Sequence, residues 1–240
     1  MGKRNLYLKT TPVEEAKKIY LEALKKIWEP AYETIPVIEA CKRVTRHATY
    51  AKNSSPLYNA SAMDGIAVIS SRTYGACETN PVRLKEGEDY VVVDTGDPIH
   101  HPYDAVIMAE DLLETGAEDE VEITASVAAW QHIRPVGEDI VAGEMILPSC
   151  HKIRPIDVGV LLSAGITEIE VVKQPKVTIF PTGTEIIEPG EAITDGSIIE
   201  SNTRMFEQMV IEQGGLAKRC PILEDVYEKI LKKKKKAVAV

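Results

Sequence analysis

The sequence predicts a multidomain α+β fold, and three patterns in its 240 residues carry that prediction. Near the N-terminus, apolar residues recur every three or four positions, which indicates an amphipathic helix. From about residue 50 to residue 148, short β-type runs alternate with turn residues. From residue 175 onward, a strand pattern precedes a helix pattern, as in a doubly wound α/β sheet. We therefore expect distinct helical, mostly β and α/β regions.

The N-terminal helix pattern begins at Thr11-Pro12-Val13-Glu14, a capping box with proline at the first helical position. One apolar stripe follows at helical spacing: Val13, Ala16, Ile19, Tyr20, Ala23, Leu24 and Ile27. This stripe predicts a helix that runs to about Trp28. Pro36 favours the start of a second, shorter helix over Val37–Arg43.

The middle of the chain contains β-type runs that are separated by Gly, Pro, Asn and Asp. We expect strands at Ala67–Ile69, Tyr90–Val93, Ala105–Met108 and Val121–Val127. Runs at this spacing are typical of a compact, mostly β domain. After them, Pro155–Ser163 has a helix pattern that closes at Gly165, and Glu168–Val172 has a strand pattern.

The C-terminal region has the pattern of a βα unit. Lys176–Phe180 is predicted as a buried strand, and Thr203–Gln213 as a helix that ends at Gly214-Gly215. A further helix is expected from Asp225 to Lys235, and Ala237–Val240 has the pattern of the next parallel strand. We therefore expect one full strand and a stub, and hence a chain truncated on entering a buried strand. The alternative is a solvated, lysine-rich helix end followed by a frayed tail.

The composition excludes several classes of function. The formal net charge is −9 and the pI is about 5.2, so the chain is expected to repel polyanions and not to bind nucleic acid. Four scattered cysteines form no C-x-x-C pair, which argues against a disulfide framework and a structural zinc site. No run of eighteen apolar residues and no signal sequence occurs. These features predict a cytoplasmic protein without a membrane segment.

Two blocks of the β region place short oxygen-bearing side chains in turns. Ser61–Val68 contains Asp64 beside a glycine, and Asp94-Thr95-Gly96-Asp97-Pro98 is rich in such side chains. Each block alone is most simply interpreted as turn chemistry, the first as an Asp-Gly turn that leads into a hairpin. Thr182-Gly183-Thr184 follows a predicted strand and offers backbone N–H groups and hydroxyls that can receive an anion.

The order of these blocks gives them more meaning than each has alone. They are followed or separated by further blocks: Asp104–Glu110, Ile133–Ile140, Gly143–Leu147 and Pro181–Ile186. As an ordered set they resemble the molybdopterin molybdenumtransferase (MoeA/gephyrin) family, whose pattern is roughly S-A-M-D-G-Y-A-V, T-G-x-P, A-D-A-V-V-x-x-E, G-E-D-I and T-G-D-E-L. The resemblance covers residues from about 11 to 240.

The resemblance implies a three-domain organisation. Residues 1–49 and 149–174 would form a discontinuous, helical domain I, and residues 50–148 the inserted β domain II. Residues 175–240 would be the truncated start of an α/β, molybdopterin-binding-like domain III. Members of the family form elongated homodimers, in which the active-site cleft lies between domain III of one subunit and the β domain of the other.

The resemblance also implies a reaction and a set of site residues. Family members insert molybdenum from molybdate into adenylylated molybdopterin, with Mg²⁺ as cofactor and release of AMP. Matching motif positions suggest Asp64, Glu185 and Asp225 as catalytic residues, with Asp64 and Glu185 also as Mg²⁺ ligands. The substrate-binding positions that match are Thr95, Asp139, Thr182, Gly183 and Thr184. Carboxylates suit this use because their oxygens hold Mg²⁺, which in turn neutralises phosphate oxygens.

The sequence departs from the family pattern in three respects. Ile66 replaces the usual aromatic residue, and Thr184 replaces the usual acidic residue before Glu185. The family's S-G-G and K-P-G-K-P blocks would lie beyond Val240, so the chain as printed is not expected to catalyse the full reaction. The alternative function is a non-catalytic paralogue that binds pterin or serves as a scaffold or oligomerisation module.

Overall fold

The computed structural model describes residues 10–27, 29–117, 119–223, 228 and 230–231. Within these residues the α-helices are α1 (Val13–Ile27), α2 (Pro155–Ser163) and α3 (Asn202–Glu212). Short 3-10 helices occur at Val37–Glu39, Ser70–Thr73 and Ala109–Asp111. The strands are β1 (Tyr32–Pro36), β2 (Thr49–Tyr50), β3 (Ala60–Ser61), β4 (Gly65–Val68), β5 (Val82–Lys85), β6 (Tyr90–Val93), β7 (Ala105–Met108), β8 (Leu113–Glu114), β9 (Glu120–Ile123), β10 (Ile133–Arg134), β11 (Met145–Leu147), β12 (Glu168–Val172), β13 (Lys176–Ile179), β14 (Ile186–Ile187), β15 (Ile198–Ile199) and β16 (Leu216–Arg219).

Few helices and many short strands confirm the predicted α+β class. The chain divides into two compact units, the first made of residues 1–34 and 170–240 and the second of residues 35–169. The two units are defined by contacts within the chain, which is a different criterion from the family's domains. The three-domain division therefore stays a prediction. Strands β1 and β12 pair with each other.

The second unit is built around the antiparallel sheet β6-β4-β7. Side chains alternate across its central strand, so Ile66 and Val68 join one apolar cluster while Ala67 joins another with Val93 and Val106. All four residues of β4 are buried. A second antiparallel sheet, β5-β9-β8, adds buried residues such as Leu84 and Ile123 to the first cluster.

The first unit contains a parallel sheet that the sequence only partly predicted. Strand β13 pairs with β16 in register from Lys176↔Leu216 to Ile179↔Arg219, and α3 connects the two strands. The expectation of one full strand and a stub is therefore wrong, because Leu216–Arg219 is a second strand. The prediction that this strand is buried is also wrong, since Val177 is 36% exposed. The predicted helix Asp225–Lys235 and strand Ala237–Val240 lie outside the continuously described residues.

The helix predicted at Val37–Arg43 shortens to one 3-10 turn because its backbone pairs elsewhere. Lys42 donates its backbone N–H to the carbonyl of Ile153 at 2.7 Å, and Ile153 donates to the carbonyl of Arg43 at 2.8 Å. Lys42 also has a φ of +69°, which an α-helix does not allow. Tertiary pairing therefore overrides the local helix signal here.

Candidate functional site

Asp64 and Thr95 meet because their strands are paired. Asp64 is the residue before β4, Thr95 lies two residues after β6, and the pairing of Gly65 with Val93 brings these strand ends together. The N–H of Thr95 donates to Asp64 Oδ1 at 2.7 Å, and the Thr95 hydroxyl donates to the same oxygen at 2.7 Å. Two of the predicted site residues thus share a direct contact on an exposed surface.

The carboxylate of Asp64 is held in its charged form. The hydroxyl and then the N–H of Thr95 lower the pKa of Asp64 from its ordinary value, because both donors stabilise the ionised oxygen. Asp64 is also fixed through its backbone, since its carbonyl accepts a hydrogen bond from the N–H of Ala109 at 2.9 Å. The result is an ionised, oriented carboxylate at the surface of the second unit.

The glycine of the S-A-M-D-G block has a structural reason. A Cβ atom on Gly65 would overlap the backbone carbonyl oxygen of Ile107 and lie 2.9 Å from the backbone nitrogen of Ala109. Strands β3 and β4, which flank Asp64, pair with β10 and with β6 and β7 respectively. The simple interpretation as a hairpin turn is therefore wrong, and Gly65 instead lets two strands approach closely beside Asp64.

The turn that carries Thr95 is tied to the strand before Asp64. Gly96 donates its N–H to the carbonyl of Ser61 at 2.9 Å, and Ser61 donates its N–H to the carbonyl of Asp97 at 2.8 Å. The Asp97 side chain accepts the N–H of Asp94 at 3.0 Å, which closes the turn. These bonds fix the positions of both donors that Thr95 offers to Asp64.

Asp139 lies elsewhere in the second unit and has a different partner. The Nη2 atom of Arg134 donates to both carboxylate oxygens of Asp139 at 2.8 Å, and Arg134 Nε donates to Glu138 at 2.6 Å. The hydrogen bonds that Arg134 donates to Glu138 and then to Asp139 raise the pKa of Arg134. Sequence reasoning missed Arg134, although it belongs to the same Ile133–Ile140 block as Asp139.

The other predicted site residues lie at the carboxyl end of the parallel strand pair in the first unit. Thr182 forms a parallel bridge with Leu223, and Gly183 donates its N–H to the carbonyl of Leu223 at 3.1 Å. Thr182, Thr184 and Glu185 are exposed. Ligands of open α/β sheets bind at this end of the strands, which is consistent with the anion site expected there.

Two neighbouring features complete this part of the site. A Cβ on Gly183 would lie 2.7 Å from the side chain of Ile186 and 2.9 Å from Glu185 Oε1, so glycine keeps room for both. Asp225, the third predicted catalytic residue, lies outside the described residues, two positions beyond Leu223. The bridge from Thr182 to Leu223 brings the two chain segments together just before that position.

A buried ionic network lies behind this segment, and sequence reasoning did not identify it. Arg219 contacts Glu188 and Glu200 at 2.8 and 3.1 Å. The sequence gives one indication of this network, the acidic residue Glu200. It lies just before α3 and three positions before Thr203, which belongs to the first turn of that helix. A buried role for Arg219 could not be inferred, because its strand was not predicted.

The described residues allow a test of metal binding. Within them, no group of three or more His, Cys, Asp or Glu side chains is arranged to hold a metal ion. Mg²⁺ commonly keeps several waters and uses only one or two protein carboxylates together with substrate phosphates. An exposed, ionised carboxylate such as Asp64 fits that mode of binding.

Among the described residues, no helix is long and apolar enough to cross a membrane.

Comparison with known proteins places these features in a family. The MoeA N-terminal region, comprising domains I and II, matches residues 11–165. A protein of Methanocaldococcus jannaschii named for molybdopterin biosynthesis is 31% identical over 95% of this chain and 61% of its own length. Molybdopterin molybdenumtransferase 2 of Mycobacterium tuberculosis is 31% identical over 75% of this chain and 48% of its own length. The chain thus spans about half to three fifths of these curated relatives.

A solved structure gives the same result for the fold. The molybdopterin biosynthesis MoeA protein from Pyrococcus horikoshii superimposes with a TM-score of 0.77 at 27% identity. The alignment covers 97% of this chain and 62% of that protein. The likeness therefore extends through the second unit and into the parallel strand pair of the first.

Proposed function

Because the chain belongs to the MoeA family, we propose that it serves molybdenum cofactor biosynthesis by inserting molybdenum from molybdate into adenylylated molybdopterin, with release of AMP. The observation that carries the proposal is the ionised carboxylate of Asp64, oriented by both donors of Thr95 in the family's S-A-M-D-G block. An oriented surface carboxylate can direct a hydrated cation or a hydrogen-bond donor of the substrate without moving.

The proposed cofactor is Mg²⁺. Asp64 and Glu185 each offer an exposed carboxylate, which is the ligand type that Mg²⁺ prefers. A bound Mg²⁺ would neutralise phosphate oxygens when the phosphoanhydride of the adenylylated substrate is cleaved. Thr95, Asp139 and the Thr182–Thr184 segment are the proposed substrate contacts.

The two substitutions within the family motifs, Ile66 and Thr184, differ in their expected effect on function. Ile66 is 2% exposed and packs in the apolar cluster of the second unit, so its replacement of an aromatic residue changes the core. Thr184 is exposed beside Glu185, so the carboxylate missing there is a change of the proposed site. This second departure favours the alternative function, a paralogue that binds pterin without turnover.

The experiment substitutes Asp64 with Asn in the protein as its gene encodes it. Asn keeps the shape and an acceptor oxygen for Thr95 but loses the charge, so molybdenum insertion should fall by more than about tenfold. Asp111→Asn is the matched control, because Asp111 is an exposed carboxylate of the same unit outside the family motifs. Equal turnover of Asp64→Asn and Asp111→Asn would exclude a catalytic role for Asp64. Pterin binding without turnover in the unsubstituted protein would instead support the alternative.

The proposed assembly is a homodimer. Helix α1 exposes several large apolar side chains, most of which belong to the predicted apolar stripe. They are Val13, Ile19 and Tyr20 of the stripe and the neighbouring Leu21, each at least 55% exposed. Apolar surface of this kind is typical of faces that pack against a partner. Sedimentation equilibrium should give a mass near twice 26.4 kDa, and Ile19→Glu should shift it toward the monomer. A monomer at tens of micromolar would contradict the proposal.

The proposed compartment is the cytoplasm. All four cysteines are free, namely Cys41, Cys77, Cys150 and Cys220. Free cysteines are typical of proteins from a reducing compartment. Fractionation of the source cells, with the protein detected in the cytoplasmic fraction, tests this assignment.

A further inference from the structure

Arg219, the last residue of β16, is at the centre of a buried ionic network in the first unit. Its Nη2 atom donates to Glu188 Oε1 at 2.8 Å and to Glu200 Oε2 at 3.1 Å, and its Nε donates to Thr203 Oγ1 at 2.9 Å. The side chains of Arg219 and Glu200 are only 8% and 3% exposed. One guanidinium therefore joins a strand, a loop and the first turn of a helix.

The charges in this network are maintained by their hydrogen bonds. Burial alone opposes ionisation of Glu200, but hydrogen bonds from Thr203 and Arg219 hold its pKa below the ordinary value. The N–H of Thr203 donates to Glu200 Oε1 at 2.7 Å, which satisfies one free donor at the start of α3. The rigid fork of the guanidinium is suited to three acceptors in fixed directions, whereas a lysine ammonium is not.

The network is connected to Glu185 through the short strand pair β14-β15. Glu188 directly follows β14, and Glu200 directly follows β15. Between the strands, Ile198 donates its N–H to the carbonyl of Glu185 at 2.9 Å, and Glu200 donates its N–H to the carbonyl of Ile187 at 2.9 Å. The guanidinium thus holds together the ends of both strands, and Glu185 is the residue at the start of that pair.

We propose that Arg219 is a positioning residue for Glu185, because its buried guanidinium fixes the strand pair that carries this carboxylate. The proposal rests on the proposed function, which assigns Glu185 to the site. Arg219 itself does not contact substrate in this arrangement. It sets where the Glu185 carboxylate lies relative to the carboxyl ends of β13 and β16.

The first arm of the test measures the strand pair directly by hydrogen exchange. Arg219→Lys keeps the charge but cannot contact all three acceptors, so the amides of Ile198 and Glu200 should exchange at least about tenfold faster. The amide of Leu216, which donates to Pro175 in the parallel sheet, should be unchanged. Arg204→Lys is the matched control, because Arg204 is 51% exposed and reaches Glu188 only at 3.5 Å.

The second arm measures catalysis in the protein as its gene encodes it. Displacement of Glu185 should lower kcat for molybdenum insertion by about tenfold while KM for the pterin substrate stays within about twofold. Glu188→Gln provides a second variant if Arg219→Lys does not fold, because Glu188 is 34% exposed and its loss leaves Arg219 paired with Glu200. It should shift both readouts in the same direction.

Faster exchange at Ile198 and Glu200 together with a lower kcat would support the proposal. Unchanged exchange, unchanged kcat, or an effect confined to KM would each overturn it. Absence of insertion by the unsubstituted protein would count against the proposed function instead. The exchange arm would then still decide whether Arg219 holds the segment that carries Glu185.

Discussion

The antiparallel sheet β6-β4-β7 and strand β13 of the parallel pair both arise from apolar runs, yet they differ in burial. In the first, β4 is fully buried and Val106 and Ala105 of β7 are 0% exposed. In the second, Val177 is 36% exposed, and residues of β13 and α3 line an apolar cavity of about 700 Å³. An apolar run therefore predicts that a strand forms, whereas the burial of that strand depends on which elements pack against each of its faces.

Hydrogen exchange should give the largest contrast between these two regions. Amides of Val91–Val93 and Ala105–Met108 should be strongly protected, because their strands pair with the buried strand β4 and apolar clusters lie on both faces of the sheet, although the side chain of Val92 is exposed. Amides of Val177–Phe180 should exchange at least about 100-fold faster, because their strand is half-exposed. Equal protection of the two regions in a dilute sample would contradict the comparison. It would mean that β13 is shielded from solvent more fully than the exposure of its side chains indicates.

The second contrast concerns strand approach. Gly65→Ala should lower the free energy of unfolding by about 3 kcal/mol, because the new Cβ meets backbone atoms of Ile107 and Ala109 that cannot give way. Urea denaturation measures the change. Gly159→Ala is the control, since Gly159 lies in α2 with no atom near its Cβ position, and it should stabilise by about 0.5–1 kcal/mol. A loss below about 1 kcal/mol for Gly65→Ala would mean that β4 and β7 can separate at little cost.

Sequence patterns predicted the elements whose ends are marked by turn residues or proline. Tyr90–Val93, Ala105–Met108, Pro155–Ser163 and Glu168–Val172 all have the predicted bounds. Leu216–Arg219 was missed because L-A-K-R contains no apolar run, and it becomes a strand only by pairing with β13. Tyr32–Pro36 was missed for a similar reason, since it is short and ends in proline.

The candidate site was predictable only to the level of its motifs. The ordered blocks pointed to Asp64 and Thr95, and strand register brings them into contact. Arg134 was missed although its partners Glu138 and Asp139 lie only four and five positions later in the same block. Arg219 could not be inferred, because Glu188 and Glu200 are 31 and 19 positions away from it in the sequence. Pairing between segments that are distant in the sequence determines these contacts. Such pairing leaves no periodic pattern of residues that a single sequence would show.

A matched pair of substitutions tests the difference in burial between β7 and β13 more directly. Val106→Ala should lower the free energy of unfolding by about 2 kcal/mol, since two buried methyl groups are lost and a cavity remains. Val177→Ala removes the same atoms from a side chain that is 36% exposed, so it should cost less than about 1 kcal/mol. Calorimetry on both variants measures the two costs. Equal costs would contradict the comparison.

The two units share one feature despite this difference, a buried carboxylate at the start of a helix. Asp157 accepts hydrogen bonds from the N–H and guanidinium of Arg154 and contacts His151 Nε2 at 2.7 Å. Glu200 accepts the N–H of Thr203 and the guanidinium of Arg219. Both carboxylates have lowered pKa values, so both stabilise the fold more when ionised.

The smallest expected effect is therefore a pH-dependent one at Asp157. The guanidinium of Arg154 and the contact with His151 hold the pKa of the folded state well below the ordinary 3.8, even though burial opposes ionisation. The unfolded state thus binds a proton first as pH falls, and the stabilisation present above pH about 5 is lost below it. Asp157→Asn should lower the free energy of unfolding by about 1.5 kcal/mol at pH 7, the value of a charge-assisted hydrogen bond. Because Asn does not titrate, urea denaturation should show this gap narrowing from pH 5 to pH 2. A gap that stays constant over that range would mean that geometry, and not charge, makes Asp157 stabilising.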